Sequence, residues 1–245
     1  TLYHRWRDGE RDSVQLLHAY GYQLGGVVEL YESTLNPNHL AFAINLAEGL
    51  LQRFHDKEAG GFWTAQGSGD LIVRLKEERD GAEPAATSVA AMALLKLGLI
   101  TEREDFTQAA ESTLRLYAKT LEQKPFALPH MLAGLDFWLH KPWRTVVAGK
   151  PDDTQVAQLA NTVHRIYQPN KVVLGNIGAV EKFARTLEAG ASGPVVYVCS
   201  GQECKLPTAD PKEIHNHLQK SATSRNQPSG GGSPLIQLEP EKKSA

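Results

Sequence analysis

Arg74, Lys76, Asp80 and Glu83 fall within ten residues of one another, and Trp63 stands shortly before them. Cations beside carboxylates drive the pKa values of two acids apart, so that one can give a proton while the other takes one. That is the requirement for cleaving a glycoside or epimerising a sugar. In this reading Asp80 and Glu83 are the proton-transfer candidates. Trp63 offers a flat face for a sugar ring, and Arg74 and Lys76 hold the hydroxyls. A solvated, salt-bridged loop is the competing reading, because charge pairs at turns are mostly structural. His18 can act as acid or base near neutral pH, and Tyr20 and Tyr22 can line a polyol pocket. Against this, aromatic residues on a helix commonly belong to the core.

Cys199 and Cys204 have four residues between them, and His215 and His217 follow. Zinc sites space paired histidines by three to five residues, which His215-Asn216-His217 does not satisfy, so no metal is expected. A disulfide is the alternative to two free thiols, and free thiols, with Cys199 buried in a strand, are the expectation. Lys150-Pro151-Asp152-Asp153 lies where a dinucleotide fold would bind phosphate. It lacks the Gly-x-Gly-x-x-Gly pattern, and its aspartates would repel an anion, so no cofactor is expected.

These residues must be positioned by helices for the most part. Leu16, Leu17, Tyr20, Leu24, Val27, Val28 and Tyr31 recur at three- and four-residue steps, and after Asn36-Pro37-Asn38 the same period returns from Leu40 to Phe54. The spacing predicts an antiparallel helical hairpin. Turn residues at 56–61 then lead into two short β-prone runs, Phe62-Trp63-Thr64 and Leu71-Ile72-Val73, read as a two-stranded excursion. Helices are expected at about 85–98, 103–122 and 128–140. From residue 141 the pattern becomes strand (145–148), helix (153–167), strand (171–174), a βαβ unit with parallel strands. A helix near 178–189, a strand at 195–199 and a last helix after Asp210-Pro211 complete it. The predicted class is mainly α, with hairpins over 1–140 and a small α/β appendage over 141–219. A disordered tail rich in Ser, Gly, Pro and Lys is predicted over 220–245.

The chain has 245 residues, 41% of them hydrophobic and 22% charged, with a formal net charge of −2. Such a charge provides no general attraction to nucleic acid or to an anionic membrane. No stretch approaches the roughly 20 apolar residues that cross a bilayer, and Thr1 to Arg7 lacks the apolar core of a signal peptide. Neither nucleic acid nor membrane is expected as a partner, and the expected location is cytoplasmic. With no initiator Met, the chain reads as the C-terminal part of something larger.

The run Phe54-His55-Asp56-Lys57-Glu58-Ala59-Gly60-Gly61-Phe62, with Arg74-Leu75-Lys76 and Asp80-Gly81-Ala82-Glu83-Pro84, resembles the C-terminal half of the spermatogenesis-associated thioredoxin-like proteins. Ala127-Leu128-Pro129, the run from Ile166 to Val173, and Tyr197-Val198-Cys199 with Cys204 extend the likeness, with gaps, over about residues 2–218. The resemblance implies an N-terminal thioredoxin-like domain, not contained in these residues, followed by a helical toroid. That toroid is an (α/α)6-type barrel related to six-hairpin glycosidases and N-acylglucosamine 2-epimerases. This chain would hold its last hairpins, with the upstream domain and the first half of the toroid as partners.

Two departures bear on chemistry. Where the family has Asp-Asp-Tyr-Ala, this chain has His18-Ala19-Tyr20-Gly21. Where the family has Pro-Ser-Gly-Asn-Ser, it has Pro84-Ala85-Ala86-Thr87-Ser88. Two functions follow as expectations: carbohydrate-related binding or catalysis of the epimerase or glycosidase kind, and a non-catalytic scaffold that supports the upstream domain.

Overall fold

The computed structural model describes residues 1–67, 73–140, 142–201 and 203–223, with side chains to residue 219. Five helices come first: α1 (Leu17–Thr34), α2 (Pro37–Phe54), α3 (Ala86–Thr101), α4 (Glu104–Gln123) and α5 (Pro129–Leu139). The helical hairpin turns where the sequence places it. Leu35 adopts φ 53°, closing α1 through its N–H to the Tyr31 carbonyl, and Asn36 caps α2 by accepting the Asn38 N–H at 2.9 Å. A short hairpin precedes α1, β1 (Trp6–Arg7) with β2 (Glu10–Arg11), turning through Asp8-Gly9 with both residues at positive φ.

Helix α3 is the centre of the helical layer. It is buried on nearly every side, from Ala86 to Ile100, and packs on α1, α4 and α5. Its approach to α1 depends on a glycine, since a Cβ at Gly21 would stand 2.9 Å from the Ala86 carbonyl oxygen.

The second half of the chain builds a four-stranded sheet in the order β4-β3-β5-β6, from β3 (Trp143–Ala148), β4 (Lys171–Gly175), β5 (Val195–Ser200) and β6 (Glu203–Cys204). The βαβ unit is present, with β3 and β4 parallel across α6 (Thr154–His164). The sheet as a whole is mixed, because β5 runs antiparallel to β3 and β6 antiparallel to β5. The expected helix over 178–189 is reduced to a single 3-10 turn at Ala184–Thr186. Its amides are drawn elsewhere: Glu181 N–H donates to the Ile100 carbonyl and Lys182 N–H to the Glu102 carboxylate, so the segment caps the end of α3. Without a crossover helix, the chain re-enters the sheet from the opposite end.

Both faces of the sheet are covered. Val146, Val172 and Leu174 join the core of the helical layer, while their neighbours Val147 and Val173, with Val196 and Val198, pack under α6 and α7 (Pro211–Thr223). The alternation is the two-residue period of a strand. No described helix is long and apolar enough to cross a membrane. The expected tail falls, from residue 224, outside the described residues, and residues 220–223 belong to α7.

One further expectation is corrected. Cys199 and Cys204 are joined by a disulfide rather than free, because they stand directly opposite one another in the β5–β6 ladder. The two-stranded excursion expected after residue 61 is described only in part. Phe62 bridges to His55 and Ala65 to Leu16, and the Thr64 N–H donates to the Leu75 carbonyl. Leu71 and Ile72 lie outside the described residues.

Candidate functional site

The segment from Val73 to Pro84 runs across the N-terminal ends of α3 and α5, and two of its carboxylates, Glu77 and Asp80, bind those ends. Asp80 accepts the Ala85 N–H with Oδ1 and the His130 N–H with Oδ2, both at 2.8 Å, and its own N–H donates to the Ala127 carbonyl. Glu77 accepts the Ala86 N–H at 2.7 Å. Helix N-termini leave unpaired donors and carry partial positive charge, and these two carboxylates answer both needs. Tyr22 donates its hydroxyl to the Pro84 carbonyl. Burial pushes its pKa up, reinforced by the charges of Glu83, Glu77 and Asp80.

Glu83 and His18 meet at the surface, 3.5 Å apart, and the His18 ring lies 4.5 Å from that of Tyr22. His18, Tyr22, Asp80 and Glu83 are therefore gathered at one helix end, whereas Arg74 and Lys76 are not among them. Tyr20 is not among them. It is 2% exposed, packs edge-on against Phe54 and donates its hydroxyl to Gln15, and so is a core residue.

Trp63, Arg74 and Lys76 form a second group. The Arg74 guanidinium lies 4.9 Å and the Lys76 ammonium 4.5 Å from the centre of the Trp63 ring, so the indole already carries two cations. Lys76 pairs with Asp56 at 2.8 Å and donates to the Gly60 carbonyl, while Arg74 donates to the Ala65 carbonyl. Asp56 in turn accepts the Glu58 and Ala59 N–H groups. The hydrogen bond from Lys76 and that from Ala59 hold its carboxyl below the usual range. The group is a braced turn. Gly60 and Gly61, both at positive φ, let this turn lie against Ser112 and Leu116 of α4.

Sequence reasoning passed over Asp56 and Glu77. The signal for Asp56 was present in the turn chemistry of 56–61, but its partner, Lys76, lies twenty residues on. Glu77 carried no local sign, since the helix it caps begins nine residues later.

Open space lies to the sides of these groups. A cleft of about 400 Å³ is lined by Tyr3, Ser13, Gln15, Gln52, Arg53 and Gln66. Another, of about 370 Å³, is walled by Leu95, Leu99, Phe137 and Trp138 and lined also by the Arg144–Glu181 ion pair, 2.7 Å long. Among the described residues no cluster of His, Cys, Asp and Glu could hold a metal ion.

Three relatives of the chain carry one name. No family model matches the chain. Spermatogenesis-associated protein 20 of Mus musculus and of Rattus norvegicus are each 30% identical over 213 residues, which is 83% of this chain and 27% of the relative. The protein of the same name from Homo sapiens is 30% identical over 212 residues, 82% of this chain and 27% of its own length. The chain belongs to the spermatogenesis-associated protein 20 family, the group that its motifs resemble. It spans about a quarter of the length of the curated relatives it matches.

Proposed function

We propose that this region is a scaffold rather than a reaction centre, supporting an upstream thioredoxin-like domain and presenting its partners. Helices α1 to α5 supply the last hairpins of an (α/α) toroid and residues 142–223 its α/β appendage, in a cytoplasmic protein. The observation that carries the reading is Asp80: both of its carboxylate oxygens accept backbone N–H groups at helix ends. A carboxylate committed in that way is poorly placed to shuttle protons. The losses at His18-Ala19 and Ala85-Ala86 then cost the protein nothing.

Co-expressing this chain with the upstream region as a separate polypeptide tests the proposal. The two should co-purify, and turnover of a sugar by the isolated chain would sink the idea.

The carbohydrate reading keeps one favourable observation, the amide-lined cleft of Gln15, Gln52 and Gln66 with Arg53 and Tyr3. Amides and hydroxyl groups of this kind suit a polyol. In that version Asp80 or Glu83 moves the proton and Trp63, Arg74, Lys76, His18 and Tyr22 hold the sugar, Tyr20 being a core residue behind them. Asp80→Asn and Glu83→Gln in the full-length protein should then abolish turnover of at least one sugar in a panel.

A further inference from the structure

The Cys199–Cys204 bridge closes a loop of only five positions, so it restrains the unfolded chain far less than a long-range cross-link would. Its value to global stability is correspondingly low. Its two ends differ in access: Cys199 is 1% exposed, whereas Cys204 is half-buried on the outermost strand, two residues long. Cys204 is therefore the more accessible of the two to an attacking thiolate.

What lies behind the bridge gives its state a consequence. Arg144 stands opposite Cys199 in the β3–β5 ladder. Its guanidinium donates to the Gly201 carbonyl in the β5–β6 turn and pairs with Glu181, and Arg144 and Glu181 both line the apolar cleft beside Phe137 and Trp138. Bridge, turn, arginine and cleft form one continuous run of contacts.

We propose that Cys199–Cys204 is a thiol–disulfide exchange site, opened reversibly by a dithiol reductant that attacks Cys204, and that its state decides whether the hairpin turn stays clasped on Arg144. In the first step the reductant's thiolate bonds to the Cys204 sulfur. The Cys199–Cys204 bond breaks, and Cys199 leaves as a thiolate with the electron pair and takes a proton from solvent. The reductant's second thiolate then attacks its own sulfur in the mixed disulfide, releasing Cys204. Two electrons and two protons pass to the pair, and the reductant ends as a disulfide.

The full chain is equilibrated in glutathione buffers of graded ratio, alkylated under native conditions and weighed. Two alkylatable thiols should appear and disappear reversibly. Trypsin cleavage after Lys205, an exposed residue whose N–H is bonded to the Val198 carbonyl across the hairpin, should be roughly tenfold faster in the reduced form. The Cys199→Ser/Cys204→Ser protein should cleave at the fast rate in every buffer. The proposal is overturned if the thiols react only after denaturation, if oxidised glutathione cannot join them, or if reduced and oxidised chains are cut after Lys205 at equal rates.

Discussion

The backbone N–H of Val173 donates to Oε1 of Glu32 at 2.9 Å, joining residues 141 positions apart in the buried interior. Two residues along the same strand, the Gly175 N–H donates to the hydroxyl of Tyr31. β4 is an edge strand, and its outward amides would be orphaned where α1 covers them. Consecutive side chains of α1 thus complete the sheet, and Glu32 also meets Lys96 of α3 at 2.9 Å. Burial drives the Glu32 carboxyl up. Burial also opposes the charge on Lys96, yet Glu32 and Glu29 hold its ammonium above the ordinary value.

Breaking this pair from either side should therefore have unequal effects. Lys96→Met strands a buried carboxylate and should cost about 3–5 kcal/mol. Glu32→Gln keeps an acceptor for Val173 and leaves Lys96 with Glu29, so about 1–3 kcal/mol is expected. Urea denaturation of the two single variants and of the double variant measures this. The double variant should lose less than the sum of the singles, and simple additivity would show that the pair is not coupled.

The helices were legible because their apolar periods, and the Asn36-Pro37 cap, are local. The βαβ unit was legible for the same reason. Other features were not. The segment over 178–189 has helical composition but surrenders its amides to Ile100 and Glu102, which only the folded chain brings near. The pairing of Cys199 with Cys204 depends on β5 turning back into β6, and β6 is too short to announce itself. The nearness of His18 and Tyr22 to Asp80 and Glu83 has no local signature, because some sixty residues separate them. Nor has the binding of Asp80 by two helix ends, because His130 lies fifty residues away.

Removing the brace at Asp80 should weaken the fold whether or not a substrate exists. Asp80→Asn retains one acceptor and should cost about 1 kcal/mol, while Asp80→Ala frees the amides of Ala85 and His130 and should cost about 2–3 kcal/mol. Thermal unfolding followed by circular dichroism reads the difference. Equal stability of Asp80→Ala and the parent would mean that the two hydrogen bonds contribute nothing.

Gly21 should resist the smallest enlargement. Its Cβ would meet backbone, the Ala86 carbonyl at 2.9 Å, and not a side chain that could rotate away. Gly21→Ala gains helix propensity of up to about 1 kcal/mol, so an exposed glycine would be stabilised by the change. Here the forced separation of α1 from α3 should reverse the sign, giving a net loss of about 1–2 kcal/mol. Gly26, with nothing within 4 Å of its Cβ, is the control, and Gly26→Ala should raise the melting temperature.

Acid should loosen the braced turn. The carboxyl of Asp56 titrates below its ordinary value because Lys76 donates to it, as does the Ala59 N–H. A carboxylate with a depressed folded pKa contributes stability that is complete above the unfolded value, near 3.8, and is lost as pH falls through the folded one. Asp56→Asn removes that contribution, so parent and variant should differ in stability at pH 6 and converge as pH drops below 4. Lys76→Met should flatten the same part of the profile, since it removes the first cause of the shift. A parent-minus-variant difference that stays constant from pH 6 to pH 3 would show that the Asp56–Lys76 contact does not set the titration.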